Sequence, residues 1–228
     1  MSKLNKPSVI FFDLDGTLID SAQDITRALN SMLRECDLKT ASVEHVKNWV
    51  GKGSQVLVEH ALMFASEHDK TFVADKFAQF HQVFLQHYQT QSVEKSIIFP
   101  HTLDMLQHLK NQSIRSAVIT NKPEAIARVN LDSLDLAEYF ELLVGGDTYS
   151  EKKPHPLPGK HALSFFNSLS QQALMIGDSE VDILFARSLH IPVVSCPWGY
   201  TPQEELKALS PDYMIESFSE LPDLWQCD

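Results

Sequence analysis

The stretch Val9-Ile-Phe-Phe-Asp-Leu-Asp-Gly-Thr17 decides the fold of this chain of 228 residues. Its first part, Val9–Phe12, is apolar and rich in β-branched and aromatic residues, which predicts a buried strand that ends at Asp13. Because alternate side chains of an extended backbone share one side, Asp13 and Asp15 should lie together, and Gly16 permits a sharp turn. Two carboxylates this close can act as nucleophile and general acid or base, although a polar turn at a strand end is the alternative.

Strand and helix patterns alternate along much of the remaining chain. Short apolar runs that predict strands occupy residues 117–119, 142–144, 173–176 and 191–195, and helical patterns lie near residues 101–112, 123–134, 157–168 and 179–189. This order predicts an α/β fold in which a parallel sheet is covered by helices. In such sheets, ligands bind beyond the carboxyl ends of the strands.

One segment interrupts the alternation, because residues 21–91 contain no convincing strand. Ser21 and Asp24 have the pattern of a capping box, which predicts that a helix begins there. Apolar residues then recur at helical spacing, at Val73, Phe77, Phe80, Phe84 and Tyr88. We therefore predict an all-helical cap domain at residues 18–91, inserted into a core domain made of residues 1–17 and 92–228.

Two further strand ends carry groups that can hold an anion. Thr120 and Asn121 follow the second predicted strand, where a hydroxyl and backbone N–H groups can bind a phosphoryl oxygen, unless Thr120 only satisfies its own turn. Lys153 lies beside Lys152 in a loop whose prolines restrict the backbone. A solvated basic loop is the alternative, but in an acidic chain we expect Lys153 to be held in a site.

Acids follow the strand predicted at residues 173–176. Asp178 lies at its end, and Asp182 lies in the first turn of the next helix, where it also forms a capping-box pattern with Ser179. Like charges about 4 Å apart repel by on the order of 4 kcal/mol per pair at an effective dielectric constant near 20. We therefore expect a cation between these acids and Asp13, and Mg²⁺ prefers such oxygen ligands.

Composition restricts the class of partner. The formal net charge of −11 disfavours binding to nucleic acid or to an anionic membrane. Cys36, Cys196 and Cys227 are far apart without CxxC spacing, so we expect reduced thiols in a cytoplasmic protein. Residues 1–8 lack the apolar run of a signal peptide, and no stretch approaches the roughly 20 apolar residues of a membrane span. The sequence is compatible with a monomer or a homodimer.

Taken together, these residues resemble the haloacid dehalogenase superfamily of phosphohydrolases. The four motifs of the superfamily stand here, in order, as residues 13–17, Thr120, Lys153 and residues 178–182. The resemblance implies a Rossmann-like core, with helices on both faces of a parallel sheet, and a helical cap inserted after the first motif. It also implies Mg²⁺ as the cofactor.

The resemblance further implies a role for each motif residue. Asp13 would take the phosphoryl group as nucleophile, and Asp15 would protonate the leaving alcohol and then activate water. Thr120 and Lys153 would bind the transferring oxygens. Mg²⁺ would be held by Asp13, the Asp15 backbone carbonyl and Asp178, and Asp182 would support the metal-bound waters or Lys153.

Within the superfamily, the chain is similar to the phosphoglycolate phosphatases at residues 49–53, 99–101, 145–147 and 152–156. Gly51, Lys52 and Gly53 of the predicted cap, with Asn121, are therefore expected to contact substrate, and Lys52 to meet its carboxylate. An exposed cap lysine is the alternative for Lys52. The expected activity is hydrolysis of a small phosphate monoester, 2-phosphoglycolate first. A sugar-phosphate or broad-specificity phosphatase, or a non-catalytic binding protein on the same fold, remain alternatives.

Overall fold

The computed structural model describes residues 4–91 and 93–225. The strands are β1 (Val9–Phe12), β2 (Ile19–Asp20), β3 (Ile97–Ile98), β4 (Arg115–Ile119), β5 (Leu142–Val144), β6 (Ala173–Gly177), β7 (Val193–Ser195) and β8 (Tyr213–Met214). The α-helices are α1 (Ala22–Glu35), α2 (Val43–Lys47), α3 (Ser54–Ala65), α4 (Lys70–Gln91), α5 (Thr102–Asn111), α6 (Glu124–Ser133), α7 (Leu157–Phe166), α8 (Glu180–Leu189) and α9 (Gln203–Ala208). Short 3₁₀ helices lie at Ala137–Tyr139, Ser170–Gln172 and Phe218–Leu224.

Strand β1 lies inside a six-stranded sheet of order β5-β4-β1-β6-β7-β8, in which every neighbouring pair is parallel. Val9 and Phe11 belong to a hydrophobic cluster that includes side chains of α7 and α8. Ile10 and Phe12 belong to a second cluster that includes side chains of α5 and α6. Because both faces of β1 are buried, the strand is apolar at every position. The predicted α/β fold with helices on both faces is confirmed.

The three central strands end at the same edge of the sheet. Phe12 of β1 pairs in register with Val118 of β4 and with Ile176 of β6. Parallel strands in register direct the residues that follow them to one side. The side chains delivered there belong to Asp13, Thr120 and Asp178.

Helices α1 to α4 pack around a hydrophobic cluster of their own, which also includes Ile126 of α6. The apolar residues that recur at helical spacing in the sequence lie on α4. Val73, Phe80, Phe84 and Tyr88 are buried, and Phe77 packs against the same cluster. The antiparallel pair β2–β3 lies where the chain enters and leaves this helical region. The region contains no strand between residues 21 and 91 in the part of the chain that the structure describes. Its division from the core at residues 18–91 stays a prediction.

Helix α1 begins where predicted, but the predicted capping box is wrong. The Ser21 side chain makes no cap hydrogen bond. The Asp24 carboxylate instead accepts hydrogen bonds from the backbone N–H groups of Lys95 and Ser96 and from the Ser96 hydroxyl, at 2.7–3.0 Å. The returning chain thus offers Asp24 donors that a local sequence pattern cannot reveal.

Other differences from the sequence predictions are small. Strand β7 begins at Val193 instead of residue 191, because Pro192 has no N–H group for the sheet. Helix α9 and strand β8 were not predicted. Cys36 and Cys196 are free thiols, whereas Cys227 and residue 92 lie outside the described residues. Within those residues, no helix combines the length and apolar character that crossing a bilayer requires.

Candidate active site

Asp13 lies directly after β1 and forms a buried ion pair with Lys153. Lys153 Nζ donates to Asp13 Oδ1 at 2.8 Å and to Asp182 Oδ1 at 2.6 Å. All three side chains are more than nine-tenths buried. The loop after β5 therefore brings its lysine back over the sheet edge, and Lys153 is held in place as its neighbouring prolines predicted.

Asp178 is oriented by two donors. Its Oδ1 accepts a hydrogen bond from Thr17 Oγ1 at 3.1 Å, and its Oδ2 accepts one from the Tyr200 backbone N–H at 2.8 Å. Gly16 has a φ angle of +86°, and a Cβ atom there would lie 2.3 Å from Asp178 Oδ2. Glycine thus allows the turn after β1 to approach the acid that follows β6.

Asp182 forms the predicted capping box and also contacts Lys153. Its Oδ2 accepts hydrogen bonds from the Ser179 backbone N–H at 3.1 Å and from Ser179 Oγ at 2.6 Å, which completes the capping box of α8. Its other oxygen binds the Lys153 ammonium. The helix start therefore holds a carboxylate that in turn positions Lys153.

Asp13, Asp178 and Asp182 form a compact acidic cluster, with one carboxylate oxygen of each within 4.8 Å of the others. Burial raises the pKa of Asp13 to about 6, although the Lys153 ammonium opposes the shift. Burial, together with the charges of Asp13 and Asp182, raises the pKa of Asp178 well above its usual range. Three buried carboxylates against the ammonium of Lys153 leave an excess of negative charge. This donor set fits a hard divalent cation, which binds through oxygen ligands.

The Asp15 carboxylate has partners outside this acidic cluster. Its Oδ1 accepts hydrogen bonds from Lys122 Nζ at 2.7 Å and from Ser21 Oγ at 2.5 Å. Lys122 is only 5% exposed, and its ammonium lies 5.2 Å from the centroid of the Tyr88 ring. The site therefore contains two buried acid–lysine pairs, Asp13 with Lys153 and Asp15 with Lys122.

A pocket opens between these pairs and the helical region. Its polar lining includes Asp13, Asp15, Thr120, Asn121 and Lys122, and its apolar lining includes Ile25, Leu57 and Tyr88. Gly51 and Gly53 also line it, so their loop reaches the same pocket as Asp13. Thr120 Oγ1 accepts a hydrogen bond from the Lys122 N–H at 3.2 Å, so Thr120 does stabilise its own turn, as the alternative interpretation expected. Thr120 also lines the pocket.

Asn121 connects the helical region to the core. Its Nδ2 donates to the Gly51 carbonyl at 3.0 Å and to the Lys153 carbonyl at 2.9 Å. The side chain is 5% exposed, and its Oδ1 has no hydrogen-bond partner within the described residues. Asn121 therefore ties the loop of Gly51 to the loop of Lys153 while remaining in contact with the pocket.

Lys52 is not brought into this pocket. Its Nζ lies 3.7 Å from Glu180 Oε2, and its side chain is 59% exposed. The loop turns the neighbouring Gly51 and Gly53 inward, so the residue between them faces the outside. Its position agrees with the alternative of an exposed lysine and does not support the predicted contact with a substrate carboxylate.

Sequence reasoning missed Lys122, Ser21 and Tyr200. The hydroxyl of Tyr200 accepts a hydrogen bond from the Ser21 N–H at 2.8 Å and donates one to Asp20 Oδ1 at 3.0 Å. For Lys122 a signal was present, because the residue directly follows Thr120 and Asn121 at a predicted strand end. For Tyr200 there was none, since it lies 179 residues from Ser21 in the chain.

The geometry agrees with the comparison with known families. The profile of haloacid dehalogenase-like hydrolases matches residues 10–196, which span β1 to β7 and all the acids and lysines described above. The chain therefore belongs to the haloacid dehalogenase-like hydrolases.

Individual relatives of known name align along almost the whole chain. A phosphoglycolate phosphatase of Colwellia psychrerythraea is 38% identical, and the alignment covers 96% of this chain and 97% of that protein. A phosphoglycolate phosphatase of Nitrosococcus oceani is 34% identical, with 97% of each chain covered. The crystal structure of a predicted phosphoglycolate phosphatase from Haemophilus somnus 129pt superposes with a TM-score of 0.89 at 32% identity, covering 96% of this chain and 98% of the other.

Proposed function

We propose that the chain is a Mg²⁺-dependent phosphatase that hydrolyses 2-phosphoglycolate through a phospho-aspartate on Asp13. One observation carries the proposal: Asp13, Lys153 and Asp178 come from separate parts of the chain and meet in one buried site. The relatives named phosphoglycolate phosphatase support the choice of reaction and substrate.

Asp13 is suited to attack on phosphorus. With a pKa of about 6, its carboxylate is mostly ionised at neutral pH. A carboxylate oxygen of Asp13 bonds to phosphorus while the bond between phosphorus and the leaving oxygen breaks. Lys153 and Thr120 bind the phosphoryl oxygens, where negative charge develops in the transition state.

Asp15 is suited to the proton transfers because it lines the same pocket as Asp13. In the first step the protonated Asp15 gives its proton to the leaving oxygen, which departs as an alcohol, and Asp15 is left as the carboxylate that Lys122 and Ser21 contact. In the second step it takes a proton from the water that attacks the phospho-aspartate. Inorganic phosphate then leaves, and the Asp13 carboxylate is restored.

The acidic cluster is proposed to bind Mg²⁺ through Asp13 and Asp178, together with the Asp15 backbone carbonyl. When bound, the cation offsets the negative charge of the acids and of the substrate phosphate. Asp182 supports this arrangement by holding Lys153 against Asp13. Thr17 and the Tyr200 N–H keep the Asp178 carboxylate turned toward the cluster.

The size of the pocket favours a small leaving group. Its cavity volume is about 30 Å³, which accommodates roughly two water-sized groups. Glycolate is smaller than a sugar or a nucleoside, so it would require less displacement of the apolar lining at Ile25, Leu57 and Tyr88. This difference in size supports phosphoglycolate over sugar phosphates.

Residues 18–91 are proposed to act as a cap domain that opens to admit the substrate. The pocket walls come from α1, α3 and α4 as well as from the sheet edge, so separation of the two parts would widen the way into the site. The hydrogen bond from Asn121 to the Gly51 carbonyl would break on opening and form again on closure.

A panel of phosphate monoesters tests the function. We expect the highest kcat/KM for 2-phosphoglycolate and lower values for sugar phosphates and nucleotides, with activity lost in EDTA and restored by Mg²⁺. Asp13→Asn serves as the inactive control. Equal rates on all esters would contradict the substrate, and no release of phosphate from any ester would favour a binding protein.

A further inference from the structure

Lys122 is a buried cation that the reaction proposed above does not use. Its side chain is 1% exposed, and its ammonium lies 2.7 Å from Asp15 Oδ1 and 5.2 Å from the centre of the Tyr88 ring. A buried ammonium is costly unless a carboxylate pairs with it, and an aromatic face stabilises it further. The fold therefore keeps a positive charge in the lining of the pocket, beside the acid proposed to protonate the leaving oxygen.

No other cation shares this position among the described residues that line the pocket. Lys153 is bound between Asp13 and Asp182, on the side of the transferring phosphoryl group. Lys52 lies outside, next to Glu180. The other polar groups of the lining include the acids Asp13 and Asp15 and the uncharged side chains of Ser54, Thr120 and Asn121. An anionic leaving group would therefore find a compensating positive charge in this lining only at Lys122.

We infer that Lys122 binds the carboxylate of the leaving group and so selects phosphate esters of small 2-hydroxy acids. The inference rests on the proposed function and identifies the residue that recognises the substrate. In such an ester a single carbon separates the ester oxygen from the carboxylate, which places their oxygens roughly 3 Å apart. When the ester oxygen is within hydrogen-bonding distance of Asp15, the carboxylate is within reach of the ammonium bound to the same acid.

This position explains how a very small pocket can discriminate between substrates. A neutral leaving group of the same size would fill the space equally well, but it would not pair with the ammonium. Discrimination would therefore depend on charge and not on shape, since a lysine already desolvated and oriented by Asp15 and Tyr88 needs little reorganisation to bind a carboxylate. Lys122 thus takes the role that the sequence had suggested for Lys52.

The test compares 2-phosphoglycolate with 2-hydroxyethyl phosphate, an ester of similar size whose leaving group carries no charge, in the presence of Mg²⁺. Lys122→Met removes both the charge and the hydrogen bond to Asp15, whereas Lys122→Gln keeps a hydrogen-bond donor for Asp15 without the charge. Lys122→Arg keeps the charge. Lys110→Met, which alters a lysine 53% exposed on α5, is the matched control.

We expect the ratio of kcat/KM for the two esters to fall at least 30-fold in Lys122→Met and Lys122→Gln, which corresponds to about 2 kcal/mol. The ratio should change less than 5-fold in Lys122→Arg and not at all in Lys110→Met. If both esters lose activity equally in Lys122→Gln, the lysine only positions Asp15, and the inference is wrong. Because Gln preserves the contact with Asp15, this variant remains informative if Lys122→Met fails to fold.

Rates of the wild-type protein on the two esters distinguish a failure of this inference from a failure of the proposed function. Hydrolysis of 2-hydroxyethyl phosphate without a preference for 2-phosphoglycolate would overturn the inference and leave a phosphatase. Hydrolysis of neither ester would overturn both.

Discussion

Replacing Asp13 by Asn should inactivate the enzyme and at the same time stabilise its metal-free fold. Asn has nearly the shape of Asp but no charge, so the proposed nucleophile is lost while the packing is kept. In the wild-type protein, burial raises the pKa of Asp13 from an ordinary value of 3.8 to about 6. The ionised carboxylate is therefore less favourable in the folded chain than in the unfolded chain.

The two pKa values determine the size and the pH range of the effect. The difference between 3.8 and about 6 corresponds to about 3 kcal/mol of unfolding free energy. Because the folded-state pKa is the higher one, the stability associated with protonated Asp13 is fully present below pH 3.8 and is lost as the pH rises through about 6. We therefore expect Asp13→Asn to exceed the wild type by about 3 kcal/mol at pH 7.5, and this gain should shrink toward zero as the pH approaches 4.

Urea unfolding in EDTA, followed by circular dichroism and tryptophan fluorescence at several pH values, measures this difference. Asp75→Asn on α4, where the aspartate side chain is 74% exposed, is the control and should change stability little at any pH. Phosphate release measured in parallel should be absent for Asp13→Asn. The reasoning is refuted if Asp13→Asn is less stable than the wild type at pH 7.5, or if its gain is independent of pH.

Three further predictions concern the surroundings of Asp13. Asp182→Ala removes every acceptor at this position, both for Lys153 and for the Ser179 N–H that caps α8, whereas Asp13→Asn keeps an amide oxygen that can accept from Lys153. Urea unfolding should therefore show a loss of about 3–5 kcal/mol for Asp182→Ala; a loss below about 1 kcal/mol would contradict this. Gly16→Ala should destabilise more than Gly51→Ala, because both glycines have positive φ but an added Cβ would lie 2.3 Å from Asp178 in the first case and 3.8 Å from Ser179 in the second. Mg²⁺ should raise the Tm more at pH 8 than at pH 5, where a proton on Asp13 competes with the cation; an equal rise would exclude Asp13 as a ligand.

The residues at the strand ends were predictable because the patterns that identify them extend over only a few consecutive residues. Val9–Phe12 is apolar throughout since both of its faces are buried, and Asp13 follows at once. The same reasoning located Thr120 and Asp178, because parallel strands in one sheet end at one edge. The capping box of Ser179 and Asp182 was also predictable, as its hydrogen bonds span only three residues.

The cap loop illustrates the limit of this reasoning. Gly51 and Gly53 line the pocket, yet Lys52 between them faces Glu180. The direction of a side chain on a loop depends on the surface against which the loop packs. A motif indicates that the loop approaches the site, but it does not indicate which of its residues point inward.

By itself, the sequence determined the parallel α/β core, the helical character of the insert and the acids and lysine at the strand ends. Each of these depends on periodicity or on residues a few positions apart. Only the tertiary structure decided which charges pair. Lys122 meets Asp15 across 107 residues of chain, and Asp24 meets the backbone of Lys95 across 71. Pairs of this kind form because a buried charge needs a partner, and packing alone determines which partner is within reach.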